Sequence, residues 1–142
     1  MEGPLDYSRL FRSAWGKGDA VVNVEHDMEY SDDLVDELLS CDHELCAYPY
    51  IVYPRRHHSF VYGAQWRGDY VEEGQAFATF SAIGFAKYEA TVQDPLPEVT
   101  WNQVEMAIHD RVVHGKRLWH LHWPAVQHFH DYTQEPYYRG DR

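Results

Sequence analysis

Glu25, His26 and Asp27 follow directly on an apolar run, Val21, Val22, Asn23 and Val24, and precede a segment that reads as a helix. Carboxylates at the carboxyl end of a strand in an α/β sheet face the crevice where ligands bind, because the neighbouring loops open there. One or two such carboxylates suffice for Mg²⁺ or Mn²⁺, which keep several waters and take further oxygens from a phosphorylated substrate. Asp27 is the better placed ligand. The alternative is a solvated strand end, with His26 turned to the core as a satisfied histidine. A second constellation lies near the other end of the chain, where His120 and His122 are followed by His128 and His130. On an extended chain, residues two apart share a face, so each pair can point one way and ligate a metal or donate to a phosphate oxygen. A helix would separate the pairs and leave the histidines as amphipathic packing. Cys41 and Cys46 have neither a CxxC spacing nor the density of a disulfide scaffold, so they read as reduced, packed thiols. The chain also lacks the Cys/His spacing of a zinc finger.

The elements that must carry these residues follow from periodicity and punctuation. Leu10, Phe11, Ala14 and Trp15 form one helical stripe, which Gly16 to Gly18 end before a strand at 20–24. Ser31 caps the next helix, with Asp32 and Asp33 in its first turn and Leu34, Val35, Leu38 and Leu39 as its inner face. A strand is expected at 45–52, at an edge or broken because of Pro49. Residues 53–74 read as a long surface excursion with a short hairpin near 59–62. A strand to about Ser81 and a short helix from Phe85 follow, with Gly84 at a tight junction. Trp101, Val104, Ile108 and Val112 predict a helix over 101–114 that stops at Gly115. The alternation after it predicts a strand that breaks at Pro124.

With 142 residues, 44% hydrophobic and 15% aromatic, the chain is expected to fold as one α/β domain, a small mixed sheet flanked by helices, with a flexible tail over 131–142. A formal charge of -11 repels nucleic-acid backbones and anionic membranes. The densest basic run, Arg55-Arg56-His57-His58, reads as a solvated turn. No stretch is apolar enough for a membrane span, and the first residues lack the layout of a signal peptide, so a cytoplasmic protein is expected.

In order along the chain, "VVNVEHDM", "CAYPY", "FSAIGFAKYEA" and "WNQVEMAIHDRVVHGKRLWHLHWPAVQHFH" resemble the carboxyl-terminal half of a nucleotide-sugar glycosyltransferase of the GT-A fold, of the small bacterial and phage types. The resemblance covers roughly residues 7 to 130. It implies a truncated, Rossmann-like GT-A domain that transfers a sugar from a nucleotide-sugar with the help of Mn²⁺ or Mg²⁺. Glu25 and His26 would meet the donor, Asp27 would hold the metal, and Gly84 would help to form the acceptor side. Glu105 would serve as catalytic base, with Trp101 beside it on the substrate. The paired acidic residues usual in the family are absent at that helix start. His120 or His122 would complete the metal site, with His128 and His130 as later candidates. Only about twenty residues precede Val21, too few for the family's nucleotide-binding half. The expectation is therefore a minimal domain that binds without turnover, a homo-oligomer that completes its site, or a separate chain supplying the missing half. Two further readings compete with transfer. One is a non-catalytic nucleotide or nucleotide-sugar binding protein; the other is an oligomeric structural protein with an interface of Tyr48, Tyr50, Tyr53, Tyr62 and Trp66.

Overall fold

A computed structural model of the chain describes residues 4–54, 60–62, 74–79, 81, 83–98 and 100–129. Arg55 to His58, Trp66, His130 and the expected tail lie outside the described residues, as do the side chains of Tyr53, Tyr62 and Trp101. Among the described residues, three α-helices, α1 (Pro4–Ala14), α2 (Asp32–Leu39) and α3 (Trp101–His114), accompany seven strands. The strands are β1 (Val21–Val24), β2 (Leu45–Ala47), β3 (Ile51–Pro54), β4 (Phe60–Tyr62), β5 (Phe77–Ala78), β6 (Phe85–Tyr88) and β7 (Trp119–Leu121). Five of them form one mixed sheet in the order β1-β6-β2-β7-β5, and β3 and β4 pair as a hairpin. The α/β expectation therefore holds; the hairpin expected near 59–62 is found with Phe60–Tyr62 as its second strand and Ile51–Pro54 as its first.

Strand alternation divides the core in two. Val21, Leu45, Ala47, Ala86, Tyr88, Trp119 and Leu121 share one face with Phe11 and Trp15 of the α1 segment and Val104, Ile108 and Val112 of α3. Here Tyr88 meets Phe11, Trp15 and Trp119 edge-on, at ring separations of 5.2 to 5.6 Å, a geometry that suits the aromatic quadrupole. The other face carries Cys46, Tyr48 and Phe85, covered by Leu38, Leu34 and Val35 of α2. Ser31 caps α2 by accepting the Leu34 N–H, and Gln103 reaches back to the Thr100 N–H at the start of α3. Leu10 and Leu39, expected inside, are exposed.

Residues 85–88 are a strand, not the expected helix. Phe85 and Lys87 point to the α2 face and Ala86 and Tyr88 to the α3 face, and all four are buried. A strand covered on both sides shows no apolar/polar alternation, so it resembles a buried helical segment in sequence. Pro49 does interrupt the expected strand at 45–52, but β2 is central, between β6 and β7, not at an edge. Tyr48 and Tyr50 are core residues, which removes them from any interface. Tyr48 packs on Phe85 and donates its hydroxyl to the Leu34 carbonyl and to Glu37.

Lys87 is fully buried in the middle of the sheet. Its Nζ donates to the carbonyls of Cys41 (2.8 Å) and His43 (2.7 Å) and to Glu89 Oε1 (2.7 Å). A buried ammonium is tolerated only when paired and hydrogen-bonded, and all three of its protons are used. Lys87→Met keeps the volume of the side chain and strands two carbonyls. It is expected to lower unfolding free energy by about 2–4 kcal/mol, read as an earlier urea midpoint at unchanged slope.

Candidate functional site

The corner after β1 is built by backbone pairing. The Glu25 N–H donates to Gly84 O (2.8 Å), extending the β1–β6 ladder by one residue, and the Met28 N–H closes a turn on Glu25 O (3.1 Å). From the other direction, the chain beyond β7 crosses to this corner. The Val126 N–H donates to Pro49 O (3.0 Å), the Glu29 N–H to Gln127 O (2.9 Å) and the Phe129 N–H to Asp27 O (2.7 Å), with an antiparallel bridge between Met28 and His128.

This crossing seats His128 on Asp27. His128 Nε2 lies 3.0 Å from Asp27 Oδ2, and the two side chains are 8% and 19% exposed. Burial alone would raise the Asp27 carboxyl, but the His128 hydrogen bond and the charges of His128 and His26 outweigh it, so its pKa lies below the ordinary value. The second oxygen, Asp27 Oδ1, is buried and finds no hydrogen-bond partner among the described residues. His26 itself is exposed rather than turned to the core; the residue that faces inward from this turn is Met28.

Tyr50 lies at the centre of the site. Its ring meets that of His128 edge-on at 4.9 Å, and its hydroxyl oxygen accepts the Gly84 N–H at 3.1 Å. Its pKa stands well above the usual phenol value, first because it is buried and then because the negative charges of Glu25, Glu105 and Asp27 act on it, against the small opposing effect of the Gly84 N–H. Glu25, Gly84 and Asp27, assigned to one site by sequence, thus lie around a tyrosine that sequence reading placed at an interface, and Glu105 acts on it through its charge. Of the histidine candidates, the structure brings His128 to Asp27, not His120 or His122.

His120 and His122 meet different partners. β7 runs parallel to β2 with His120 opposite Cys46, and His122 lies two residues on, on the same face. Cys41, just beyond α2, completes a group in which one ligand-capable atom from each of Cys41, Cys46, His120 and His122 lies within 4.8 Å of every other. Both cysteines are free, as expected. Burial, aided by the hydrogen bond from Cys46 to Cys41, pushes the Cys46 thiol up to about 12, although Lys87 pulls the other way. His120 and His122 are both held below the ordinary imidazole value, chiefly by burial; neighbouring histidines add to this at His120, and Glu37 opposes it at His122. Sequence reading found the shared face of the two histidines but missed the cysteines. Cys41 and Cys46 are five residues apart and more than seventy from the histidines, so only the β2–β7 pairing unites them.

A cavity of about 330 Å³ opens on the opposite, α3 face, lined by residues including Trp15, Tyr88, Ile108 and Arg111, and none of the expected site residues whose side chains are described lines it. No helix among the described residues is long and apolar enough to cross a membrane. Comparison with known proteins finds no matching family model, no matching curated protein and no matching solved structure. The chemistry of the site has to be read from its own residues.

Gly84 permits the convergence on Tyr50. A Cβ at this position would lie 2.7 Å from Tyr50 Oη and 3.0 Å from Glu25 Oε2, closer than real contacts allow. Gly84→Ala is expected to push Tyr50 off His128 and to cost about 1–3 kcal/mol. Chemical denaturation measures the loss, and a displaced His128 ring resonance in NMR spectra reports the local shift.

Proposed function

We propose that this chain is a metal-dependent, glycosyltransferase-like domain related to the GT-A type, acting on a nucleotide-sugar donor and an acceptor hydroxyl. The observation that carries this reading is the convergence on Tyr50. Asp27 and His128, Glu25, Gly84 and Glu105 come from four separate stretches of chain, and all either touch this one side chain or act on it electrostatically.

The residues present fit a hard divalent ion. Asp27 offers a buried oxygen with no partner among the described residues. Asp27 Oδ2 and His128 Nε2, 3.0 Å apart, have the separation of adjacent ligands on an octahedral ion with bonds of about 2.1 Å. Carboxylate plus imidazole suits Mn²⁺, and Mg²⁺ is the alternative. A bound ion would neutralise charge developing on the leaving diphosphate. Before an ion binds, the His128 hydrogen bond favours ionised Asp27; in the loaded site His128 Nε2 would turn its lone pair to the ion instead, with Tyr50 packed against the ring. Glu105 takes the proton of the acceptor hydroxyl as the new bond forms. Gly84 contributes by leaving room for Tyr50, and Glu25 lies against the same tyrosine on the donor side of the corner.

Saturating Mn²⁺ with a UDP-, GDP- or TDP-sugar should raise the melting temperature of the wild type, since a ligand specific to the folded state stabilises it by mass action. Asp27→Ala and His128→Ala should abolish the rise. Glu105→Gln keeps the shape of the side chain and should retain donor binding while transfer falls about 100-fold or more. A wild type that binds a sugar nucleotide but turns it over with no acceptor makes the chain a non-catalytic binding protein. A melting curve that ignores both metal and nucleotide overturns the site.

A further inference from the structure

We propose that Cys41, Cys46, His120 and His122 form a closed structural zinc site that ties the end of α2 and strand β2 to strand β7. It is separate from the Asp27–His128 pair and does not depend on the chemistry proposed there.

The geometry carries it. Cys41 Sγ lies 3.3 Å from His120 Nδ1, and His120 Nδ1 lies 3.2 Å from His122 Nε2. A tetrahedral zinc ion, with Zn–N of about 2.0–2.1 Å and Zn–S of about 2.3 Å, places its ligand atoms about 3.3–3.8 Å apart. The two sulfurs are closer, at 2.8 Å, and still well outside the covalent S–S length of about 2.05 Å. Two thiols and two imidazoles crowded onto one point have more lone pairs than protons to share among them. A cation that accepts from all four resolves this. Two sulfurs and two nitrogens are a borderline-soft set that suits zinc and does not suit the Mg²⁺ or Mn²⁺ of an oxygen-rich site. With four protein ligands, no position is left for substrate, which marks the site as structural.

The surroundings support the ligands. Glu37 Oε2 lies 3.4 Å from His122 Nδ1 and also accepts the Tyr48 hydroxyl. A carboxylate on the far nitrogen of a ligating histidine is the usual support of such rings, and it leaves Nε2 turned to the cluster. Lys87 holds the Cys41 and His43 carbonyls, so the loop bearing the first ligand is fixed from below. Its charge also favours thiolates. The His43 ring stacks on His120 at 4.3 Å and meets Phe77 edge-on at 5.3 Å, covering the cluster from the side of β5.

The test uses the full chain purified from zinc-supplemented cultures without chelator. Elemental analysis is expected to find one zinc per chain. Replacement with Co²⁺ should give the thiolate-to-cobalt charge-transfer band and the intense d–d bands of a tetrahedral sulfur-bearing site. Cys46→Ser and His120→Ala should lose the bound zinc, whereas Asp27→Ala should keep it. Because the first two variants can fail to fold, the wild-type cobalt spectrum stands as an independent measurement. Wild-type protein with no zinc and no cobalt charge-transfer band overturns the proposal. So does a Cys41–Cys46 disulfide found by mass and thiol titration, or zinc that disappears in Asp27→Ala.

Discussion

Strand β6 is paired on both edges, antiparallel to β1 and to β2, and the placement of Lys87 beside Cys46 and of Gly84 beside Glu25 follows from those two registers. Val22, Lys87 and Cys46 stand opposite one another across three strands, and the row continues through His120 to Phe77. All five point to the α2 face because side chains in register across a sheet share a face. A one-residue slip of β6 would send Lys87 and Phe85 among the aromatic residues under α3 and bring Tyr88 to the cysteines. Such a slip strands a charge in an apolar layer, so the registry is strongly determined. At the start of the same strand, Gly84 brings its backbone against Glu25 and Tyr50. The two candidate sites thus lie at the beginning of β6 and across its middle.

Their chemistry differs in kind. The corner at Asp27 offers carboxylate oxygen and one imidazole, while the cluster at Cys46 offers two sulfurs and two imidazoles. Hard and borderline-soft donor sets select different ions even where intrinsic affinities overlap, so a domain holding both can carry a structural and an exchangeable metal without competition between them. Burial works in the same direction. The corner keeps Asp27 ionised against its own desolvation, and the cluster holds Cys46 as a thiol that only a strong local cation would ionise.

Much of the scaffold was legible in the sequence, because α2 and α3 announce themselves by capping residues and apolar spacing, and β1 by its valines. The acidic corner was legible too, since a carboxylate at a strand end is a local pattern. Phe85 to Tyr88 was not: covered on both faces, it lacks the alternation by which a strand is known. Tyr50 was missed because nothing near Pro49 shows that its ring turns inward against His128. The pairing of His120 with Cys46 was out of reach for a stronger reason. It depends on a parallel contact between strands more than seventy residues apart, and parallel pairs leave no turn signal between them. The glycosyltransferase resemblance points His120 or His122 to Asp27, whereas the chain runs on from β7 and brings His128 there instead.

That span links the two sites mechanically. Beyond Leu121, the His122 N–H donates to Ala47 O (2.9 Å), the Val126 N–H to Pro49 O (3.0 Å) and the Phe129 N–H to Asp27 O (2.7 Å). His122 belongs to the cysteine cluster and His128, six residues later, to the acidic corner, and between them the segment follows the residues that continue β2. An ion held by Cys46 and His120 would pin β7 to β2 where this segment begins, and each later hydrogen bond inherits that alignment. Tyr50 is fixed by the same path, through its bridge to Val126 and its contact with the His128 ring. A closed metal site in this position has a function without chemistry of its own. It would set the approach of the histidine that pairs with Asp27, since a segment pinned at its start places an imidazole more precisely than an unpinned one.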